Sequence, residues 1–354
     1  MSDVTPLLDH VGVSIWPLLK EDGVEDVAIQ GPGEAWCCHQ GRWSRREIAI
    51  TKEDVEEIVT LSGSLNKREV DETAPLYDAH LPGGERLGVC APPACARVTR
   101  DESGKIHIDP FPALTFRKHE ESIAEPATIA QRYRTEGWNK WERRQGGRDW
   151  SKLLAIYDSG DFSGLLVAAV QARLNILQVG MTGVGKTTLN KTACSAIDDS
   201  ERIITVEDVI ELFLRQLNIV RMIFSNDEGG VGCAAILKTI FRHRATRVLL
   251  QELRDGPSAW TLCSDIIGPH PGVITTIHGH DAMSGISRLA MLLRSAPEAR
   301  GMSTDDIGWL LNNSVDLVIP LHLGDDGVRD IFPVWFAGDA FRRGETVASL
   351  LREQ

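Results

Sequence analysis

Hydrophobic and polar positions follow two different rhythms along the chain. Up to residue 118 the apolar stretches are short and interrupted by Gly and Pro. Leu7, Leu8, Val11 and Ile15, then Leu18 and Leu19, keep near-helical spacing as far as Gly23. Val27 to Gln30 reads as a short strand stopped by Gly31-Pro32-Gly33, and Trp36 to His39 with Trp43 flank Gln40-Gly41 as a hairpin would. Thr51-Lys52-Glu53-Asp54 has the form of a capping box with Asp in place of Glu. Behind it Val55, Ile58, Val59 and Leu61 share one helical face that ends near Gly63. Leu76 to His80 and Arg86 to Cys90 read as paired strands around Pro82-Gly83-Gly84, and Ala91-Pro92-Pro93 breaks the second. Ile106 with Ile108, and Leu114 to Arg117, suggest further strands. The pattern predicts a small mixed α+β domain over residues 1–118.

From residue 156 to 354 helical and strand patterns alternate, which predicts a largely parallel sheet with crossover helices, an α/β fold. Leu174, Ile176, Leu177 and Val179 form one apolar run ahead of Gly180. Arg202 to Asp208, Val248 to Glu252 and Gly272 to His278 are further runs, each closing on a polar residue. Ligands of open parallel sheets gather at the carboxyl ends of the strands. Glu207, Asp208, Glu252 and His278 are therefore expected to face the turn Gly180 to Thr187.

That turn carries the clearest chemistry. Gly180-Met181-Thr182-Gly183-Val184-Gly185-Lys186-Thr187-Thr188 follows a strand and opens a helix expected over Lys186 to Ile197, the order a phosphate-binding loop requires. Its glycines let successive backbone N–H groups turn inward onto phosphate oxygens, and the helix N-terminus faces the same anion. Gly180, Thr182, Gly183, Val184, Gly185, Lys186, Thr187 and Thr188 are thus the expected contacts to ATP. Lys186 is aimed at the β- and γ-phosphates, and the Thr187 hydroxyl is the expected Mg²⁺ ligand. Glu252, just past its strand, suits activation of the attacking water, with Glu207 assisting. His278 is placed to sense the γ-phosphate or a neighbouring subunit. Cys263, His270, His278 and His280 match no standard zinc spacing.

Bulk properties narrow the surroundings. A net charge of −12 over 354 residues argues against broad non-specific nucleic-acid binding. Seven cysteines without a C-x-x-C pair suit reduced, buried thiols in a cytoplasm. The N-terminus has no signal-peptide pattern and no run approaches a membrane span, so membrane association is expected to be peripheral. Residues 119–155 read as an interdomain linker. Between Arg132 and Lys152 it carries seven Lys/Arg against three acids, interleaved with Trp138, Trp141 and Trp150, a composition that also suits acidic lipid or a partner.

Taken together, these segments resemble the hexameric traffic ATPases of type IV secretion and conjugation, the VirB eleventh-component family within the secretion ATPases. The similarity runs over most of the chain. It rests on Gly180 to Thr188, on Ile203 to Asp208 with Glu211-Leu212, on Phe241 to Arg244, on Arg247 to Arg254, and on His270 to His278. Leu153 to Phe162, Ile29 to Glu34, Leu81 to Arg86 and Leu114 to Lys118 are similar to further family segments. The resemblance implies a RecA-like P-loop domain preceded by a smaller α+β domain, a homo-hexamer, and nucleotide held between the two domains. It implies that Arg86 and Arg117 approach the phosphates from the N-terminal domain, and that Arg242 and Arg244 are a basic pair. Implied partners are other type IV secretion ATPases and inner-membrane components at the cytoplasmic face of the bacterial inner membrane, with exported protein or DNA met only indirectly. Gln251 and Asp255 stand where the family usually has Gly, Ala245-Thr246 where it often has Pro-Asp, and the Gly-rich stretch from Phe224 to Cys233 is atypical. The alternatives are a type IV pilus, type II secretion or tight-adherence ATPase, or a nucleotide-switched scaffold with little turnover.

Overall fold

A computed structural model describes residues 8–10, 12–68, 70–119 and 150–352. Most of the basic, Trp-containing stretch, including Trp138 and Trp141, lies outside the described residues. The first half builds β1 (Val24–Ile29), β2 (Glu34–His39), β3 (Arg42–Glu47), β4 (Leu76–His80), β5 (Arg86–Cys90), β6 (Cys95–Arg100), β7 (Ile106–Asp109) and β8 (Ala113–Arg117). Six of these form one antiparallel sheet in the order β3-β2-β1-β8-β5-β4. The Gln40-Gly41 turn closes the β2–β3 hairpin with positive φ at both residues, the conformation a tight two-residue turn demands. The helix Lys52–Leu65 packs Val55, Ile58 and Val59 into the core of this sheet, together with Val27, Leu87, Leu114 and Phe116. Its start is a true capping box: Thr51 Oγ1 accepts from Asp54 N at 3.1 Å, and Asp54 Oδ2 accepts from Thr51 N at 2.8 Å. Nearer the N-terminus the helical spacing does not produce one helix. Residues 8–10 are helical, a turn follows, and Pro17 sits in the first turn of a separate helix, Trp16–Lys20.

The second half adds β9 (Ile176–Val179), β10 (Ile203–Glu207), β11 (Ile219–Ile223), β12 (Arg247–Leu250), β13 (Ile274–Ile277), β14 (Leu317–Leu323), β15 (Arg329–Ile331) and β16 (Trp335–Phe336). The larger sheet runs β15-β14-β9-β13-β12-β10-β11-β6-β7, with β16 also on β14. From β14 to β11 all neighbours are parallel. Both faces of this parallel part are covered, which explains why its strands read as continuous apolar runs. Leu177, Val179, Ile204, Val206, Val248 and Leu250 join one core with the helices Ala282–Ser295 and Thr304–Ser314. Ile176, Ile203, Leu249, Ile274, Leu317 and Ile319 join the other, with Phe162–Gln171 and Lys186–Cys194. Helix Ser151–Asp158 adds Leu153 to that second core, and Trp150 stacks edge-on against Phe336.

The two sheets meet through β6 and through a buried polar knot. Strand β6 runs antiparallel to β11, pairing Cys95 with Met222 and Ala96 with Arg221. At the knot Arg202 is fully buried. It donates from Nη1 to Gln30 Oε1 (2.7 Å) and Asn218 Oδ1 (2.8 Å), and from Nε to His243 O (2.8 Å), and it lies over the Trp43 ring. His243 Nδ1 is 3.2 Å from Thr115 Oγ1, and burial pushes the imidazole pKa down to about 3. Arg244 reaches across to Glu25 (2.7 Å) and Asp26 (3.3 Å), and Arg242 to Asp78 (2.9 Å).

Candidate active site at the phosphate loop

The loop after β9 sits between neighbouring parallel strands β13 and β14, at their carboxyl ends. Gly183 and Gly185 have positive φ (84° and 101°), which L side chains resist. Gly180 answers a different need: a Cβ there would stand 2.7 Å from Val184 Cγ2 and 2.9 Å from Leu321 O. Gly185 caps the helix Lys186–Cys194, so that helix begins at the loop. Lys186 curls back, donating from Nζ to Gly180 O (2.6 Å) and Met181 O (3.0 Å). Burial pushes its pKa down, while the charge of Glu252 acts in the opposite direction. The Glu252 carboxylate thus acts on the loop lysine from the neighbouring strand ends.

Glu252 follows β12 and is the centre of a chain of charges. Its side chain is 11% exposed, against 48% for His278, so a largely enclosed carboxylate meets an open imidazole. His278 Nε2 lies 2.8 Å from Glu252 Oε1, and Arg254 Nε donates to Oε2 at 2.8 Å. Arg254 Nη1 also donates to Asp208 Oδ2 at 2.5 Å, and the bond to Glu252 contributes most to raising the arginine's pKa. Asp208, Arg254, Glu252 and His278 therefore make one continuous array along the strand ends.

Glu207 is built differently from its neighbour. It is fully buried, and Oε1 accepts from Glu211 N and Leu212 N, both at 2.8 Å. Its Oε2 is buried without a hydrogen-bond partner. Glu207 holds the turn that carries Glu211, whose Oε2 accepts from Thr187 Oγ1 at 3.4 Å. A hydroxyl and a carboxylate are hard oxygen donors, so this pair fits Mg²⁺. The sequence assigned Glu211 and Arg254 no chemical role, although both lie in segments that carry the resemblance. Their signals were present: Glu211 is four residues past Glu207, and Arg254 is two past Glu252.

Two departures from the family pattern have structural uses. Gln251 Oε1 accepts from Asp208 N at 3.0 Å and so ties β12 to the β10 end. Asp255 caps the helix Gly256–Trp260, accepting from Ser258 N at 2.8 Å. Arg86 and Arg117 face each other in register on β5 and β8. Together with Arg242, Asp78 and His80 they line a cavity of about 290 Å³, and its lining among the described residues includes no residue of Gly180 to Thr188. Arg117 Nε donates to Asp26 Oδ1 at 2.9 Å. The cysteine and histidines considered for zinc do not converge. Cys263 is buried, His270 Nδ1 sits on Ala245 O at 2.9 Å, and His278 is engaged with Glu252. All seven cysteines are free and buried. Among the described residues no helix is long and apolar enough to cross a membrane.

Residues 157–326 match the family described as Type II/IV secretion system protein. Over 356 residues the chain is 34% identical to Protein VirB11 of Rhizobium radiobacter, spanning 99% of this chain and 100% of the relative. It is 31% identical over 315 residues to the type IV secretion system protein VirB11 of Bartonella quintana, spanning 85% of each. Among solved structures it resembles the VirB11 ATPase from the Brucella suis type IV secretion system in complex with sulphate. There the TM-score is 0.83 and the identity 28%, over 99% of this chain and 98% of that one. With a secretion-protein match over the phosphate-loop half and full-length likeness to these relatives, the chain belongs to the VirB11 family.

Proposed function

We propose that the chain hydrolyses ATP at Gly180 to Thr188 and that this turnover drives assembly of, or export through, a type IV secretion apparatus. The observation that carries the proposal is Glu252: an enclosed carboxylate, held by Arg254 with the His278 imidazole beside it, whose charge reaches Lys186. Lys186 exchanges Gly180 O and Met181 O for phosphate oxygens when nucleotide enters. Thr187 and Glu211 would hold Mg²⁺, which when bound neutralises charge on the phosphates. Glu252 accepts the proton of the attacking water as oxygen bonds to the γ-phosphorus and the bond to the β-phosphate oxygen breaks. His278, open to solvent beside Glu252, would report the γ-phosphate. Glu207 acts through the backbone of the turn it holds, positioning Glu211 rather than touching water.

The same proposal takes the chain as a homo-hexamer at the cytoplasmic face of the inner membrane, beside other secretion ATPases and membrane components. Residues 1–118 are the N-terminal module, 119–155 the linker and 156–354 the ATPase part. Since Arg86 and Arg117 line a cavity with Arg242, we assign them to the nucleotide of a neighbouring copy. The test is steady-state Mg²⁺-ATP hydrolysis by wild type and Glu252→Gln, with nucleotide affinity measured alongside. Turnover is expected to fall by about 10²–10⁴-fold at unchanged affinity. Equal rates would remove Glu252 as the base. Binding without any turnover in wild type would favour a nucleotide-switched scaffold.

A further inference from the structure

Strand β6 stays paired with β11 for only two residue pairs, and past Ala96 the pairing ends. Between Arg97 to Arg100 and the segment 213–221 lies a cavity of about 480 Å³. Five arginines line it, Arg45, Arg97, Arg100, Arg215 and Arg221, against a single acid, Glu34. Glu34 is already engaged by Arg45 at 2.7 Å and lies 4.0 Å from Arg97. Such an excess of positive charge runs against a chain whose net charge is −12.

Arg221 decides what the cavity is for. The residue is 7% exposed, its Nε is buried without a hydrogen-bond partner, and its guanidinium makes no ion pair among the described residues. Glu207 is the acid whose charge acts on it most, but it does not bond the guanidinium: Oε1 accepts from the backbone of its own turn and Oε2 has no partner. Proteins pair their buried charges, so a guanidinium left in this state is prepared for an occupant. The remaining wall is mixed: Phe213, Leu217 and Ile219 are apolar, while Gln30, Thr99 and Gln216 add neutral polar groups.

We propose that this cavity is a second anion site, separate from the phosphate loop, which takes a small phosphate ester. Guanidinium forks match phosphate oxygens bidentately, and Phe213, Leu217 and Ile219 offer apolar contact to the organic part of such a molecule. The volume falls within the range of about 300–1,000 Å³ usual for small-ligand pockets. The strongly negative chain disfavours a long nucleic acid, whose backbone would have to run past the rest of that field.

The experiment uses the full chain saturated with Mg²⁺-ADP, titrated calorimetrically with inorganic pyrophosphate. One pyrophosphate per chain is expected. Arg221→Met should weaken it at least about tenfold, and the rim double variant Arg97→Gln/Arg100→Gln by about tenfold. The rim variant keeps the test usable if Arg221→Met does not fold. No saturable uptake, or uptake unchanged in the rim variant, overturns the site. Uptake abolished by Lys186→Ala but untouched by Arg221→Met is binding at the phosphate loop and overturns it too. Sedimentation with phosphatidylglycerol vesicles provides the last arm. Vesicle binding that needs Arg221 and that pyrophosphate does not compete would assign the arginines to a membrane surface and not to a small ligand.

Discussion

The strand-end array and the knot between the sheets are both built around an arginine, yet they are opposite devices. At the strand ends Arg254 faces two carboxylates and half its side chain meets water. At the knot Arg202 is dry and its hydrogen-bond partners are neutral: an amide oxygen from each of Gln30 and Asn218, the His243 carbonyl and the Thr115 hydroxyl. Exposed ion pairs are worth little and exchange partners readily, while buried hydrogen bonds to a charge are costly to break. The first device suits a site whose partners change as nucleotide comes and goes. The second suits a joint that holds one geometry between β1, β8 and the parallel sheet.

The most severe way to break this contrast is Arg202→Met. It leaves Gln30 Oε1 and the His243 carbonyl buried without their donor, and Asn218 Oδ1 with only the Gln30 Nε2 bond at 3.3 Å, so stability should fall by about 3 kcal/mol in urea unfolding. A loss near zero would place the two arginines in one class. The next effect comes through pH. His243 takes up a proton near 6.5 when unfolded but stays neutral in the fold down to about 3. Between those values the unfolded chain binds more protons, so stability falls as pH drops, by about 1.4 kcal/mol per pH unit. His243→Gln should flatten this slope when unfolding is followed from neutral pH to roughly pH 4.5. A slope that survives the substitution would assign the acid sensitivity to other groups. The smallest effect sharpens the comparison from within the junction. Arg242 and Asp78 pair at 2.9 Å but both are about half exposed, so Arg242→Ala should cost about 0–1 kcal/mol. A larger loss would extend the buried character of the knot to its rim.

Much of the phosphate loop was legible in the sequence, because its demands are local. Glycine spacing, a preceding apolar run and a following helix are all contiguous, and the loop from Gly180 to Thr188 appears where they predict. The capping box at Thr51 is legible for the same reason. The inward turn of Glu207 was not, since a carboxylate at a strand end can point to water or to its own turn with the same sequence. Gln251 and Asp255 depart from the family pattern, and their use was not legible because their partners, Asp208 N and Ser258 N, meet them only once the strand ends and the short helix exist. Strand β6 was missed altogether. Its place depends on β11, more than a hundred residues later, and no periodicity within Cys95–Arg100 encodes that meeting.

The same strand governs how the protein can be dissected. Cys95 and Ala96 cover the outer edge of β11, the last strand of the parallel series, beside buried Met222. A fragment beginning after residue 118 would keep the whole phosphate loop yet lose this cover, leaving an apolar strand edge open to pairing with other chains. Insolubility of such a fragment would report a missing neighbour and say nothing about whether its active site can form. During synthesis, likewise, β6 leaves the ribosome long before β11, so the larger sheet can close its edge only late.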